Sequence, residues 1–403
     1  CILGSADRGV TMPATLYRDA AFTDARSPDL EVGVSVLAED GVITWMGPSD
    51  DEPDPRDALI IDAGGTTIVP GMVDAHSHVT MPGGSHWIDR GFDPADELLR
   101  VAEDNAELAL RAGVRWFRDV GSPTRTMDGV DRAVALTVRD RWVGRGREVP
   151  YLRAAGTWVS KRGTLPDDLA IDVDDADALR AAALKQIDDG SDLVKLYLDG
   201  PDKDMAPWTT AETKAVVDSC HERGVKVTAH ATRLAGARVC AEAGVDSIEH
   251  GFELDQDIVG MMSANGTFLV ATLAITKSWQ GFGSTTAIER FTNEESQQAI
   301  AARRESGLAS VKLARDAGVP IAAGTDFGGG SLRANQLAWE VESLVEAGLE
   351  PWEALAAATW QGGDLLGEPD AGRIRVGGPA DFFLVHGDPL SDPSALWRVW
   401  KVA

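Results

Sequence analysis

The stretch IVPGMVDAHSHV, residues 68–79, decides how we interpret this chain. Its composition indicates a short apolar strand that ends in His76 and His78, with one residue between them. Side chains alternate between the two faces of a strand, so residues i and i+2 point the same way. The two histidines are therefore predicted to share a metal ion. Taken alone the pair is weak evidence, because two polar residues at a strand end need no metal.

The bulk composition is that of a globular protein. A chain of 403 residues can form one large domain with an appendage, or two domains. Apolar residues make up 44% and charged residues 25%, and the net charge is −26. Nucleic acids and anionic membranes both require a basic surface, so neither is predicted as a partner. No apolar run reaches the roughly 18–20 residues that a membrane helix needs.

The three cysteines indicate the compartment. Cys1, Cys220 and Cys240 show no CxxC spacing, which favours free thiols in a reducing compartment and hence a cytoplasmic location. A disulfide between Cys220 and Cys240 stays open as an alternative. No signal peptide is recognised, but the chain begins at Cys1, so a removed leader or a lipid anchor on that residue is the other interpretation.

The two ends of the chain are similar in character. Short alternating runs bounded by Gly, Asp and Pro predict strands at residues 14–17, 32–37 and 41–46, and again at 372–374 and 380–385. We therefore predict one small β-sandwich domain formed from both chain termini, residues 1–67 plus 366–403.

The middle of the chain, residues 68–365, alternates strand-like runs with helical patterns. The predicted strands are 67–79, 114–120, 151–155, 193–198, 225–231, 247–251, 268–274 and 320–325, and the clearest helices are 95–112, 175–189, 209–223, 233–243 and 297–316. Eight β–α repeats over about 300 residues predict an α/β fold of the (β/α)₈ TIM barrel type. A doubly wound open sheet is the alternative, but no Gly-x-Gly-x-x-Gly follows the first strand.

Further ligand-type residues occupy predicted strand ends. In a barrel the chemistry lies at the carboxyl ends of the strands. His230, His250 and Asp326 end strands five, six and eight, so four of the seven histidines fall at such ends. Each could singly be a hydrogen-bonded core residue or a cap. Together they predict a site for zinc or a similar divalent ion.

Lys195 decides what kind of site this is. It lies inside the apolar fourth strand, where a buried ammonium costs several kcal/mol unless it is paired or neutral. Divalent ions would repel an ammonium, whereas carbon dioxide converts the amine to a carbamate that can bridge two metals. The alternative is an ion pair of Lys195 with Asp326 or Glu249 in a one-metal site.

These motifs resemble those of the metal-dependent amidohydrolase superfamily, in particular its imidazolonepropionase-like and Xaa-Pro dipeptidase-like branch. The segments TIVPGMVDAHSHV, DLVKLYLDG, VTAHAT, SIEHG and AAGTDFG resemble the family's motifs for strands one, four, five, six and eight. The resemblance implies that His76, His78 and Asp326 hold one metal. It also implies that His230 and His250 hold the second, with carboxylated Lys195 bridging the two.

Two segments depart from the family pattern. The Asn-Pro-Ala expected after the Ala-Thr of the closing helix is replaced by Trp-Gln-Gly-Gly at residues 360–363. The third strand region, YLRAAGTWVSKRGT, lacks the Gly-Gly-His of the dipeptidase members. These departures weaken the prediction of dipeptide specificity but not that of hydrolysis.

The predicted reaction is hydrolysis of an amide-type C–N bond in an N-acyl amino acid, a dipeptide or a related amide or carbamate. Two divalent ions, expected to be zinc, would hold a bridging hydroxide, which is a nucleophile at neutral pH. Asp326 would act as general base and then general acid. Alternatives are a mononuclear deaminase, a cyclic-amide hydrolase and a non-catalytic metal-binding protein. Deaminases carry a glutamate three residues after the strand-five histidine, where this chain has Arg233.

Four residues are candidates for binding the small-molecule substrate. Tyr197 lies two residues beyond Lys195 and is predicted to face the mouth. Arg118, at the end of strand two, and Arg233 could bind a carboxylate, and His86 lies in a glycine-containing loop after strand one. Residues 276–292 are rich in aromatic side chains and are predicted to form an apolar wall. Assembly into a homo-oligomer is left open.

Overall fold

The computed structural model describes residues 14–202 and 204–403. Its strands are, in chain order, β1 (Thr15–Phe22), β2 (Glu31–Glu39), β3 (Val42–Pro48), β4 (Leu59–Asp62), β5 (Thr66–Pro70), β6 (Met72–Ser77), β7 (Val114–Asp119), β8 (Thr124–Met127), β9 (Val130–Ala133), β10 (Tyr151–Ala154), β11 (Val159–Lys161), β12 (Ile171–Val173), β13 (Leu193–Tyr197), β14 (Lys226–Ala231), β15 (Ser247–His250), β16 (Phe268–Val270), β17 (Ile321–Ala322), β18 (Phe382–His386) and β19 (Val399–Val402). Cys1 lies outside the described residues.

The α-helices are α1 (Trp87–Arg90), α2 (Ala95–Arg111), α3 (Val134–Trp142), α4 (Ala176–Asp188), α5 (Thr210–His221), α6 (Leu234–Ala243), α7 (Gln256–Asn265), α8 (Leu273–Phe282), α9 (Glu289–Thr292), α10 (Glu294–Asp316), α11 (Leu337–Glu346), α12 (Pro351–Ala357) and α13 (Trp360–Leu366). Several begin at a capping side chain. Thr209 and Glu212 form a capping box at α5, and Asp175 accepts a hydrogen bond from the Ala178 N–H at α4. Such caps satisfy N–H groups that the first helical turn leaves unpaired.

Eight parallel strands follow one another in chain order, as predicted: β6, β7, β10 and β13 to β17. Their hydrogen-bonded ladders fall into two sheets, one of β6, β7 and β10 and one that runs from β12 through β11 and β13 to β17. Single bridges, Ala155–Leu193 and Ser77–Phe327, join the sheet edges. The arrangement is of the barrel type and mixed α/β, but one continuous closed ladder is not formed.

The predicted strand at residues 67–79 is in fact two strands. β5 belongs to the sheet of the chain termini and β6 to the parallel strands, with Gly71 between them. A Cβ atom at Gly71 would lie 2.8 Å from Cβ of Arg115, so the chain turns where only glycine fits. The Arg115 Nε–H in turn donates to Asp381 Oδ1 at 2.8 Å, which ties β7 to the C-terminal segment.

Three other predicted strands, 268–274, 320–325 and 372–374, differ from the structure, and the second of these is a strand only at Ile321–Ala322. Residues 268–274 form a strand only as far as Val270, because Thr272 has a left-handed φ of 51° and α8 begins at Leu273. Residues 276–292, predicted to form an apolar wall, are largely helical, within α8 and α9, and Trp279 of this segment stacks on Trp87. Residues 372–374 form no strand.

The termini meet in one mixed seven-stranded sheet, with the order β19-β18-β5-β1-β2-β3 and with β4 also paired to β1. β18 runs antiparallel to β5, so the C-terminal end of the chain pairs directly with the segment that leads into β6. The predicted β-sandwich would need two facing sheets, and the described strands of both termini lie in a single sheet. The predicted domain boundary at residue 67 falls within β5.

The largest apolar core lies between the parallel strands and their helices, and a smaller one packs under the terminal sheet. Cys220 and Cys240 are buried free thiols, so the alternative of a disulfide between them is wrong. Among residues 14–202 and 204–403, no helix has the length and apolarity needed to cross a membrane.

Candidate metal centre

His76 and His78 project from the end of β6 and are buried. The Nδ1 atom of His76 hydrogen-bonds Glu249 Oε2 at 2.6 Å, and Nδ1 of His78 hydrogen-bonds the Gly121 carbonyl at 2.7 Å. A partner on Nδ1 fixes the ring and leaves Nε2 as the electron-pair donor. Both Nε2 atoms face Asp326 Oδ1, at 3.5 Å from His76 and 3.2 Å from His78.

Asp326 completes this group. It follows β17 with a left-handed φ of 59°, which is uncommon for a residue other than glycine. Asp74 locks β6 to this segment, since its carboxylate accepts from the Thr325 N–H at 3.0 Å and from the Thr325 hydroxyl at 2.6 Å. Ligand atoms of His76, His78 and Asp326 all lie within 4.8 Å of one another.

His250 and Glu249 are consecutive, yet both face the interior. Adjacent side chains on a strand normally point to opposite faces, but His250 has a left-handed φ of 73°. Its ring lies 4.9 Å from the His76 ring, and its Nδ1 bonds Thr272 Oγ1 at 2.8 Å. Glu249 is fully buried and accepts hydrogen bonds from His76, Arg118, Thr228 and Ser247.

His230 ends β14 beside these residues. Its ring centroid lies 4.5 Å from that of His250, and Tyr197 stacks on it at 4.0 Å with the ring planes 12° apart. The Nε2 atom lies 3.3 Å from Asp199 Oδ2. The Asp199 carboxylate also accepts from the N–H and hydroxyl of Thr232, at 2.6 and 2.8 Å, and is therefore held firmly against the histidine.

Lys195 is 2% exposed, and its Nζ has no hydrogen-bond partner among the described residues. Burial lowers the pKa of this amine to about 8, with the opposing influence of Glu249 and Asp326 only partly offsetting it. None of the described carboxylates makes an ion pair with it within 4.0 Å, so the predicted alternative of an ion pair with Asp326 or Glu249 is wrong. An unpaired buried amine is a costly arrangement that a modification or a metal would relieve.

The protonation of Asp326 and His250 suits a divalent cation, whereas burial acts to lower the pKa of His78 but Asp326 raises it above the usual value, so this imidazole must lose its proton to bind a metal. Burial acts to raise the pKa of Asp326, but His76 and His78 hold it well below its usual range. Burial, reinforced by the nearby His230 and His76, lowers the pKa of His250 well below its usual range. Ionised carboxylates and neutral imidazoles are the forms that bind zinc. The residues present therefore fit a metal of this class.

Of the four predicted substrate residues, only Tyr197 lines the cavity that contains the predicted ligands. The prediction for Arg118 is wrong, because it is buried on the inner side, where it donates to the Ala75 carbonyl, Ser247 Oγ and Glu249. Arg233 lines an adjoining cavity and pairs with Glu253 at 3.2 Å, and the His86 side chain is 67% exposed outside both cavities.

The cavity above the donors has a volume of about 220 Å³. Its walls are mainly apolar, and besides the six predicted ligands they include Met81, Trp87, Ile88, Trp158, Leu165, Pro166, Leu169, Phe252, Ile275 and Trp279. Gly329 also lines it, and a Cβ atom there would lie 2.1 Å from Cδ2 of His78, so a side chain would displace the histidine. The cavity suits a ligand with a bulky apolar part.

Sequence reasoning missed several residues of the site. Asp199 lies two residues beyond the end of β13, so an acid near a strand end was the available indication. The sequence predicts Glu249 only as an ion-pair partner of Lys195, because it precedes a predicted ligand and nothing local predicts that both face inward. Thr272 and Arg303 reach the site from a turn and from helix α10, where no pattern in the chain predicts a contact.

Comparison with known proteins identifies the family. A model of the Amidohydrolase family matches residues 67–402. An uncharacterized protein of Mycobacterium tuberculosis is 31% identical over 371 residues, which cover 90% of this chain and 91% of the relative. Ochratoxinase of Aspergillus niger is 28% identical over 242 residues, covering 57% of this chain and 49% of the relative.

The fold agrees with this assignment. A crystal structure of a Xaa-Pro dipeptidase with bound methionine in the active site superposes with a TM-score of 0.81 at 25% identity, and the match covers 96% of this chain and 98% of the dipeptidase. The resemblance inferred from the strand-end motifs is thereby confirmed, and the chain belongs to the Amidohydrolase family.

Proposed function

We propose that this chain hydrolyses an amide-type C–N bond with two divalent metal ions, zinc being the expected metal. The observation that carries the proposal is the convergence of six donor side chains from five strand ends on one cavity: His76, His78, Lys195, His230, His250 and Asp326. Four histidines and a carboxylate supply the nitrogen and oxygen ligands that zinc prefers.

In this proposal the ligands form two halves. The first half comprises His76, His78 and Asp326. The second half comprises His230, His250 and Lys195, whose amine would add to carbon dioxide and lose a proton, giving a carbamate that would serve as a ligand to both halves. The unpaired Nζ and its lowered pKa support that role, because a neutral amine is the form that reacts with carbon dioxide.

Zinc, when bound, supplies a Lewis acid that polarises a carbonyl and lowers the pKa of water. The side chains of the chain then move the proton and orient the substrate. Asp326, ionised and at the cavity floor, takes the proton of the attacking water and delivers it to the departing nitrogen. Burial raises the pKa of Tyr197, so its phenol stays protonated and donates a hydrogen bond to the substrate carbonyl.

The choice of bond rests on the relatives together with the cavity. The similar Xaa-Pro dipeptidase is named for a dipeptide substrate, and we extend amide hydrolysis to this chain from it. The apolar walls provide room for a bulky acyl or aryl group and keep water away from the reacting bond. N-acyl amino acids, dipeptides and related amides or carbamates fit this description.

A metal analysis combined with a hydrolysis screen tests the proposal. Zinc-reconstituted protein is assayed against N-acyl amino acids, dipeptides, cyclic imides and aryl carbamates, and its zinc is counted by plasma mass spectrometry. We expect about two zinc ions per chain and release of the free amine from at least one class. One ion per chain together with ammonia release would instead establish a deaminase, and a metal-free, inactive protein would contradict hydrolysis.

A further inference from the structure

Among the residues that the structure describes, Arg303 is the only arginine that lines the metal cavity. Its guanidinium has no partner there. It lies on α10, is half-buried and lines both the metal cavity and the adjoining cavity that holds Arg233. Among residues 14–202 and 204–403, no side chain or carbonyl hydrogen-bonds its guanidinium and no carboxylate pairs with it. Its neighbour Arg304, by contrast, pairs with Glu346 at 2.6 Å.

The acidic groups nearest to Arg303 are already engaged. Asp199 holds His230 and Thr232, and Glu253 accepts from Arg233 at 3.2 Å and from the Leu234 N–H at 3.1 Å. Burial lowers the pKa of Arg303, Arg233 adds to that effect, and Asp199 and Glu253 oppose it. Arg125, another half-buried arginine without a carboxylate, donates instead to the carbonyls of Asp93 and Gly91, whereas Arg303 has neither kind of partner among the described residues.

The rest of the cavity defines what such a cation could bind. Large apolar side chains such as Trp87, Trp158 and Trp279 form the walls, and the proposed ligands form the floor. A guanidinium presents paired N–H groups in a plane that match the two oxygens of a carboxylate. A molecule that fits both features has an apolar body and one anionic end.

We propose that Arg303 binds a carboxylate of the substrate, so that the enzyme acts on anionic amides, such as N-acyl amino acids with a large apolar acyl group, and discriminates against neutral ureas and carbamates. This inference rests on the proposed function, since it assigns the substrate class of the same site. Arg303 is thus a specificity-determining residue that touches substrate away from the bond that breaks.

Binding of a matched pair of inert probes tests the role of Arg303 separately from hydrolysis. N-benzenesulfonyl-L-phenylalanine and N-benzenesulfonyl-2-phenylethylamine differ only in the carboxylate, and sulfonamides resist hydrolysis. Calorimetry with the zinc-loaded, full-length protein should give at least about tenfold tighter binding of the acid, the size expected for a hydrogen bond to a charged group. Arg303→Met should remove most of this preference, whereas Arg303→Lys should retain part of it.

Arg315→Met is the matched control, because Arg315 lies on the same helix but pairs with Glu353 at the outer surface. The preference of Arg315→Met for the acid probe should equal that of the wild type. This result would exclude an effect of net charge alone. Since zinc itself attracts carboxylates, the decisive quantity is the change caused by Arg303→Met. Equal binding of both probes by the wild type, no binding of either, or a preference that survives Arg303→Met would each overturn the proposal.

Kinetics with the benzoyl analogues of the same pair separate the two proposals. If the wild type cleaves N-benzoyl-L-phenylalanine at least about tenfold faster in kcat/KM than N-benzoyl-2-phenylethylamine, and Arg303→Met abolishes the difference, both proposals stand. Equal cleavage of the two keeps hydrolysis and overturns the role of Arg303. A carboxylate preference in binding without any cleavage keeps the anion site and overturns hydrolysis of this bond.

Discussion

In the first half of the metal centre the ligand atoms of His76, His78 and Asp326 already lie within 4.8 Å of one another, while in the second half the Lys195 amine has no partner and His230 is bonded to Asp199. Hydrogen bonds of the protein alone assemble the first half. In the proposed centre the second half lacks one ligand as long as the Lys195 amine is unmodified. We therefore expect zinc to bind the first half more tightly, and carbon dioxide to affect the second half more strongly than the first.

The largest effect is expected from Asp326→Asn, which changes a carboxylate of the first half into an amide. The amide oxygen can still bind zinc but cannot accept the proton of the attacking water. We expect kcat to fall by roughly 10²–10⁴-fold, the usual contribution of a general base, while the zinc content stays near that of the wild type. Steady-state kinetics and metal analysis on the same preparation check this. A fully active variant would show that Asp326 has no role in proton transfer.

Lys195→Met removes the proposed shared ligand, and with it the second half, while His76, His78 and Asp326 of the first half stay in place. We expect zinc to fall from about two ions to about one per chain, with turnover reduced by roughly 10²-fold or more. Added acetate should restore part of the activity, because a small carboxylate can replace the carbamate. The matched control is Lys226→Met on the adjacent strand, where Nζ donates to the Leu365 carbonyl at 2.5 Å. Two tightly bound ions and full activity in Lys195→Met would contradict the bridging role.

A smaller effect, confined to the first half, is expected from Glu249→Gln. The neutral amide is a weaker acceptor for Nδ1–H of His76, and removal of such a partner typically lowers metal affinity by about 10–100-fold. Competition with a chelator should show a lower affinity for the zinc ion of the first half. The affinity for the ion of the second half should change little. Glu253→Gln, which alters an acid of the adjoining cavity, is the control. If both ions bound equally more weakly, the variant would have lost structure in general. Arg118, which pairs with Glu249, would then have lost its partner.

The smallest effect on activity is expected at the turn that supports the second half. Glu340 is buried and accepts hydrogen bonds from the N–H groups of Leu273 and Ala274, at 3.0 and 2.6 Å. These two residues follow Thr272, whose hydroxyl hydrogen-bonds His250. Burial raises the pKa of Glu340 from 4.5 to about 8, with the two backbone hydrogen bonds opposing the shift. Between these pH values the unfolded chain loses a proton that the folded chain keeps, so the contribution of Glu340 to stability declines as the pH rises.

Glu340→Gln does not titrate, so its deficit in unfolding free energy relative to the wild type should shrink by about 4 kcal/mol between pH 4.5 and pH 8. Urea unfolding at several pH values measures this difference. Glu346→Gln, whose acid is partly exposed beside Arg304, should show a nearly constant difference. A deficit for Glu340→Gln that does not change with pH would mean that the glutamate is ionised throughout.

Much of the site could be predicted because parallel strands end at a common edge. The six ligands were predicted from residue type and strand end, and all six line one cavity. The prediction failed for Arg118, since position at a strand end does not determine which way a long side chain turns. Here the Ala75 carbonyl, Ser247 and Glu249 draw the guanidinium to the inner side.

The sequence by itself determined the order of the parallel strands, the family and the six candidate ligands, because these follow from local periodicity and from short motifs. Only the tertiary structure decided which nitrogen of His76 is free, since its Nδ1 bonds a glutamate 173 residues away. The same holds for the unpaired state of Lys195 and Arg303. Whether a charged group is paired depends on what distant segments bring within hydrogen-bonding range, and no local pattern carries that information.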